Sequence, residues 1–322
     1  MKIAVIHDYA DVFRKTAAAA RLEGHELRVD TGARTDLERL ADVEALVLTQ
    51  QRVRVTRELL GRLPRLKFIS QTGRNLYHLD LAACAERDIV ISAGAPPARG
   101  PHSRTAELAW GLIIAALRHL PYEVERLKAG HWQSTAGKGL AGKTLGIYAF
   151  GHIGAAVARV GRAFGMNVVC WGREGSTTRA RAEGFAVASG REAFFEGADV
   201  LSLHLPANEQ TRGIVAAADL ARMKPEALLV NTSRASIIAE GARVAALRRG
   251  RPGFAAVDVY EEEPVVGADH PLLGMANALC TPHLGYAERE TFEGLYAVAV
   301  DQLLAYAAGK PINVVAQGAG SS

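Results

Sequence analysis

The sequence predicts an α/β protein built from two parallel-sheet domains. Three observations carry this. Short β-branched runs alternate with helix-forming stretches along nearly the whole chain. The alternation is broken by the Gly/Pro-rich segment from Gly94 to Gly100 and resumes after it. A length of 322 residues is enough for two domains of ordinary size, each with its own core.

Taken in order, Lys2–Ile6, His25–Val29, Glu44–Thr49, Lys67–Ser70 and Ile89–Ile91 read as strands, being short and rich in Val, Ile or Phe. Between them, Val12–Glu23 and Thr56–Arg62 have helical spacing and composition. Such alternation implies a parallel sheet with helices on both faces. Gly94 to Gly100 then makes a hinge. His102 to Gly130 reads as one long amphipathic stretch, opened by Ser103-x-x-x-Glu107 and closed by Gly130 as C-cap. The second alternation has strands at Thr144–Ala149, Asn167–Cys170, Val200–Leu203, Ala227–Asn231, Phe254–Asp258 and Ala278–Cys280. Its helices are Gly154–Gly165, Arg191–Glu196, Ala216–Arg222 and Glu240–Arg249. Thr291 to Gly309 is helical again, followed by Pro311 to Val315.

Composition narrows the function classes. With 49% apolar and 22% charged residues the chain is globular. The net charge of +4 is scattered, without the basic stripe of a nucleic-acid binder. No apolar run approaches the roughly 20 residues of a membrane helix. The N-terminal residues 1–10 carry no cleavage site, so export is not expected. Cys84, Cys170 and Cys280 are too far apart for a disulfide framework or a metal cluster and suit a reducing cytosol. These counts lead us to expect a cytoplasmic enzyme or binding module with no metal, membrane or nucleic-acid partner.

The strongest motif is Leu145-Gly146-Ile147-Tyr148-Ala149-Phe150-Gly151-His152-Ile153-Gly154, where an apolar strand meets a helix. It is a dinucleotide fingerprint with Ala149 in place of the first glycine. Gly151 would let the backbone approach a pyrophosphate, Gly154 would let helix and strand pack closely, and the helix N-terminus offers free N–H groups. The next strand ends at Cys170-Trp171-Gly172-Arg173, where an NAD site usually places an acid for the ribose 2′-hydroxyl. Gly172 cannot fill that role. Arg173 can pair with a 2′-phosphate, stack on adenine, or stand in solvent. Further on, three strands in succession deliver Arg234, the carboxylates Glu261 to Glu263, and His283 at their carboxyl ends. Ligands of doubly wound sheets bind there. Histidine moves a proton, a carboxylate holds the imidazolium, and arginine binds a substrate carboxylate in bidentate fashion. Each has a bland alternative: Arg234 in an ion pair, the glutamates as a solvated loop, His283 as a core residue.

At this point the chain resembles the D-isomer-specific 2-hydroxyacid dehydrogenase family, the phosphoglycerate dehydrogenase-like proteins. The resemblance runs through Gln71–Arg74 to Asp80, Ser103–Glu107, the 145–154 fingerprint, His204–Pro206 with Thr211, Asn231–Arg234, Asp258–Pro264 and Thr281–Gly285. It implies a Rossmann domain for NAD or NADP (99–284) inserted in a flavodoxin-like substrate domain (1–98 and 285–322), in a homodimer to which His102–Gly130 contributes. It implies Arg234, Glu263 and His283 as the catalytic trio, Glu263 standing five residues after Asp258 and just before Pro264. It implies a cofactor site of Thr105, Gly151, His152, Ile153, Gly154, Arg173, His204, Pro206, Thr211, Thr232, Ser233, Asp258 and Gly285, with Asp258, Thr232 and Ser233 at the nicotinamide. Arg74, Asn75 and Leu76 would hold the substrate, a small 2-oxo or 2-hydroxy acid.

The chain departs from the family pattern at Ala149, at Ala235 after the catalytic arginine, and at Asn75, each where glycine is common. Gln71 stands where phosphoglycerate dehydrogenases tend to carry arginine, which argues against a phosphorylated substrate unless Arg74 compensates. No C-terminal regulatory extension is seen, so serine feedback is not expected. A dinucleotide-sensing corepressor of the same fold is the alternative, since such proteins can retain the trio.

Overall fold

The computed structural model describes residues 1–33, 36–94 and 103–316. Its contacts divide the chain into two compact units, Met1–Ala98 with Ala287–Ser322, and Arg99–Tyr286. The first is discontinuous and the second continuous.

The first unit begins with β1 (Lys2–Ile6), β2 (Glu26–Val29), β3 (Ala45–Leu48), β4 (Phe68–Thr72) and β5 (Val90–Gly94), all mutually parallel. β3 and β4 are buried along their whole length, as strands of a sheet covered on both faces must be. The stretch expected as a helix over Val12–Glu23 is instead a 3-10 turn, Phe13–Lys15, and one short helix, Ala17–Ala20, with the Thr16 side chain capping the helix. That hydroxyl accepts the Ala19 N–H and stops the two pieces from running together.

The second unit holds β6 (Thr144–Tyr148), β7 (Asn167–Trp171), β8 (Ala186–Val187), β9 (Val200–Leu203), β10 (Leu228–Asn231), β11 (Phe254–Val257) and β12 (Ala278–Cys280). Their order in the sheet is β12-β11-β10-β9-β6-β7-β8, all parallel. Helices Arg104–Leu117 and His152–Ala163 cover one face, with the Trp110 indole N–H donating to the Val157 carbonyl at 3.2 Å. Helices Arg191–Gly197, Ala217–Arg222 and Ala242–Arg248 cover the other. The stretch expected as one helix over 102–130 is two, Arg104–Leu117 and Leu120–Lys128, broken at His119, whose φ of 51° is left-handed. The second of these helices buries none of its residues.

The chain returns to the first unit with the Arg289–Ala307 helix and β13 (Val314–Ala316), which pairs antiparallel with β5. The sheet order there is β13-β5-β4-β3-β1-β2. The returning segment satisfies buried hydroxyls of the first: Thr49 meets the Tyr296 hydroxyl at 3.1 Å, Ser70 donates to Gln302 at 2.7 Å, and Ser92 to the Ile312 carbonyl at 2.7 Å. The hinge expected at Gly94 to Gly100 lies, after Gly94, outside the described residues.

Candidate active site

In the second sheet β7 lies on one side of β6 and β9 on the other, so their carboxyl ends flank the switch point where such sheets take ligands. After Tyr148 the chain turns through Ala149, at a left-handed φ of 76°, to Gly151, which caps the His152–Ala163 helix. A Cβ at Gly154 would stand 2.2 Å from the Ala149 carbonyl oxygen, so only glycine lets helix and strand meet here. A Cβ at Gly151 would have no neighbour within 4 Å among the described residues. The first-turn N–H groups of His152 and Ile153 have no acceptor within the helix, as at any helix start.

His204 leaves β9 beside this turn, its N–H donating to the Tyr148 carbonyl at 3.0 Å. Both its ring nitrogens are buried without a hydrogen-bond partner among the described residues. Burial pushes its pKa down to about 4, so the ring is neutral at physiological pH. The Thr232 hydroxyl, just past β10, is likewise buried and unpartnered. Unmatched buried polar atoms cost about 1–3 kcal/mol each. His204 beside a glycine-lined helix start, and Thr232 past β10 in the same sheet, fit a dinucleotide, whose amide, hydroxyl and phosphate groups would match their free atoms.

Past β10, the Asn231 side chain braces the turn, accepting the Ser233 N–H and donating to the Arg234 carbonyl, both at 3.0 Å. Ser233 donates its hydroxyl to the Leu203 carbonyl at 2.6 Å, tying the turn to β9. Arg234 donates one guanidinium nitrogen to the Ser233 carbonyl at 2.7 Å, and among the described residues it has no carboxylate partner. It is a positioned cation, half-buried, with its charge unmatched.

The three glutamates past β11 separate by role. Glu261 takes two contacts from the buried Arg243 guanidinium, at 2.9 and 3.0 Å, and a third from His270. Glu262 is exposed. Glu263 accepts the Tyr260 N–H at 2.9 Å with one oxygen and meets His283 Nδ1 at 2.6 Å with the other. This carboxylate–imidazole pair leaves Nε2 as the nitrogen able to exchange a proton with a ligand. The side chains are 28% and 32% exposed, shielded yet open to a small molecule.

His283 sits at a left-handed φ of 53°, on a loop anchored by Asp258. Asp258 is fully buried, and its carboxylate accepts the Thr281 hydroxyl at 2.6 Å, the Leu284 N–H at 2.7 Å and the Gly285 N–H at 2.8 Å. Burial raises its pKa, and these three bonds oppose the rise.

Several of the expected cofactor residues make hydrogen bonds within the protein. The Asp258 carboxylate holds the histidine loop. Thr105 donates its hydroxyl to the Gly285 carbonyl at 2.8 Å, clamping the same loop from the Arg104–Leu117 helix. Thr211 is buried and closes its own loop, donating to the Pro206 carbonyl at 2.6 Å and accepting the Asn208 N–H at 2.9 Å. Arg173 is exposed and donates to the Gln210 side chain at 2.7 Å. Arg74, Asn75 and Leu76 stand in the first unit, after β4, with Arg74 and Asn75 exposed. Gln71 before them is fully buried, its amide donating to the Gln50 and Thr72 carbonyls and bonding His78. Ser176, on the Glu174–Ala182 helix, is not singled out by the sequence, and Arg179, there a further cation beyond Arg173, bonds the chain instead: both hold the backbone of Phe150. Their polar, unpatterned surroundings give no periodic signal.

Among the described residues no group of three or more His, Cys, Asp or Glu could hold a metal, and no helix is long and apolar enough to cross a membrane. Residues 110–285 match the family described as D-isomer specific 2-hydroxyacid dehydrogenase, NAD binding domain. A glyoxylate reductase of Aeropyrum pernix is 36% identical over 287 residues, covering 86% of this chain and 83% of its own. A D-3-phosphoglycerate dehydrogenase of Methanocaldococcus jannaschii is 34% identical over 282 residues, where this chain spans only 53% of the relative's length. A solved oxidoreductase structure from Ralstonia solanacearum superposes with a TM-score of 0.89 at 48% identity, covering 98% of this chain and 96% of that one.

Proposed function

Because the chain belongs to the D-isomer specific 2-hydroxyacid dehydrogenase family, we propose that it interconverts a small 2-oxo acid and its D-2-hydroxy acid. The observation that carries this is the 2.6 Å His283–Glu263 pair, set in the same unit as Arg234, which has no carboxylate partner among the described residues. A bound nicotinamide supplies or accepts the hydride. Arg234 binds the substrate carboxylate. In the reducing direction His283 gives its Nε2 proton to the developing alkoxide, while Glu263 holds the imidazolium at Nδ1. Asp258 and Thr105 keep the histidine loop in place. Gly151, His152, Ile153 and Gly154 take the pyrophosphate, and His204, Pro206, Thr232 and Ser233 line the rest of the dinucleotide site.

The discontinuous unit is the substrate domain in this reading, with Arg74, Asn75 and Leu76 at the substrate. Gln71, buried and with its amide taken up internally, offers nothing to a substrate phosphate, which favours an unphosphorylated acid. Both nicotinamide dinucleotides are accepted, NADP at least as well as NAD, since Gly172 presents no carboxylate to repel a 2′-phosphate and Arg173 is exposed beside it. A homodimer forms through the Leu120–Lys128 helix, whose Leu120, Tyr122, Val124 and Leu127 are all exposed, with Trp132 beyond it. The free thiols of Cys84, Cys170 and Cys280 favour a cytoplasmic setting. The relatives described above carry enzyme names, which favours the dehydrogenase over the corepressor alternative.

The test is a cofactor-oxidation scan with NADH and NADPH against glyoxylate, hydroxypyruvate, pyruvate and longer 2-oxo acids. Turnover of at least one is expected. A protein that binds the dinucleotide and reduces none of them overturns the reading.

A further inference from the structure

The dinucleotide turn departs from its usual pattern twice, with Ala149 at the first glycine position and Gly172 where an acid is common. The structure joins the two departures. Ala149 holds a φ of 76°, a conformation that disfavours a residue with a Cβ by about tenfold against glycine. Both backbone polar groups of the next residue, Phe150, are held from the Glu174–Ala182 helix. Ser176 Oγ accepts the Phe150 N–H at 2.5 Å, and Arg179 Nε donates to the Phe150 carbonyl at 3.2 Å. Gly172, at a φ of 156°, makes this possible. A Cβ there would stand 3.1 Å from Ser176 Oγ and 3.3 Å from Ser176 Cβ, closer than an ordinary contact, so an acid would press on Ser176.

We propose that Ser176 and Arg179 are positioning residues for the cofactor, deepening the dinucleotide reading on which this rests. By gripping Phe150 they hold Ala149 left-handed, which keeps the N–H groups of His152 and Ile153 presented for the pyrophosphate. The Phe150 N–H is itself withdrawn from the phosphate. With the grip removed, the turn relaxes and the binding-competent form becomes a minor one. The dissociation constant then rises by the reciprocal of its population.

The full chain and its S176A, A149G, S176A/A149G and R179A variants are titrated with NADH and NADPH by fluorescence, with a thermal midpoint for each. S176A should raise Kd about tenfold for both dinucleotides, with kcat at saturating cofactor within about twofold of wild type. A149G should rescue S176A to within about threefold of wild type, because glycine takes φ 76° without the grip. A merely structural serine lowers the midpoint and leaves Kd alone. The proposal is overturned by a Kd for S176A within twofold of wild type, or by a double variant no tighter than S176A. Should S176A not fold, R179A decides, since Arg179 is exposed: a rise of threefold or more is expected, and an unchanged Kd overturns the proposal. A wild type that binds neither dinucleotide overturns the functional reading itself, a result distinct from any of these.

Discussion

Replacing Asp258 with alanine separates holding a loop from touching a cofactor. The carboxylate serves three donors: the Thr281 hydroxyl and the N–H groups of Leu284 and Gly285. In Asp258→Ala the Leu284 and Gly285 N–H groups lose their acceptor and the Thr281 hydroxyl keeps only its 3.4 Å contact to the Val257 carbonyl, at about 1–3 kcal/mol for each donor left unmatched and buried. Relief of the buried charge, whose cost shows in the raised carboxyl pKa, offsets part of this. A net loss of about 2–4 kcal/mol follows if the loop stays put, or roughly 5–15 °C in Tm for a unit of this size. If the loop opens instead, its N–H groups reach water, and the fall in Tm is at the low end. With its three bonds to Asp258 gone the loop is no longer fixed in either case, so His283 loses its set position against Glu263 and kcat should drop by about 10²–10⁴, the usual worth of a positioned general acid. Asp258→Asn is the sharper variant. Its single amide oxygen can still serve Thr281 and Leu284, while its NH₂ confronts the Gly285 N–H, so its kcat should lie between alanine and wild type. Steady-state turnover, thermal unfolding and dinucleotide titration together make the assay. Turnover within threefold of wild type in Asp258→Ala would refute the reasoning, as would a lost cofactor affinity that accounts for the whole defect.

Further outcomes can be checked alongside. His283→Ala should cut turnover by about 10²–10⁴ in both directions with cofactor affinity unchanged, whereas Arg234→Ala should act mainly by raising KM for the 2-oxo acid. Steady-state kinetics in both directions decide this. His78 and His204 are each pushed down to about 4 by burial. Between pH 6.5 and 4 the unfolded chain takes up protons that the folded chain refuses, so their stabilising contribution is complete above 6.5 and is lost as pH falls. The slope is about 1.4 kcal/mol per pH unit for each histidine, and denaturant midpoints across that range should flatten in His78→Gln. For cofactor choice, kcat/KM for NADPH should equal or exceed that for NADH, and Arg173→Ala should erode the NADPH value. An NADH preference above about tenfold that Arg173→Ala leaves untouched would make Arg173 a surface residue.

The strand frame was legible because buried parallel strands read as continuous apolar runs, as Ala45–Leu48 and Leu228–Asn231 do. The residues at strand ends were legible for the same reason, since a polar residue just past an apolar run falls at the carboxyl edge. Arg234 and His283 were found in this way. Which of Glu261, Glu262 and Glu263 meets His283 was not decided by spacing alone; the resemblance singled out Glu263, and the structure places that residue at 2.6 Å. Harder to read were breaks that depend on a single backbone angle, such as His119, and the antiparallel return of β13, whose three residues carry no pattern. Hydrogen-bond ownership was also invisible. Thr105, Thr211 and Asp258 stand in motifs that suggest contact with a ligand, yet their polar atoms close loops.

The nested order of the chain has a consequence for synthesis on the ribosome. β1 to β5 emerge first, with the hydroxyls of Thr49, Ser70 and Ser92 already destined for burial. Their partners, Tyr296, Gln302 and the Ile312 carbonyl, are not made until the whole of Arg99–Tyr286 has been translated. At roughly 5–20 residues per second the nascent sheet waits some ten to forty seconds, lacking its long helix and one edge strand. The continuous unit can complete itself in that interval. The discontinuous one cannot, so its exposed early strands form the stretch on which a nascent-chain chaperone would act.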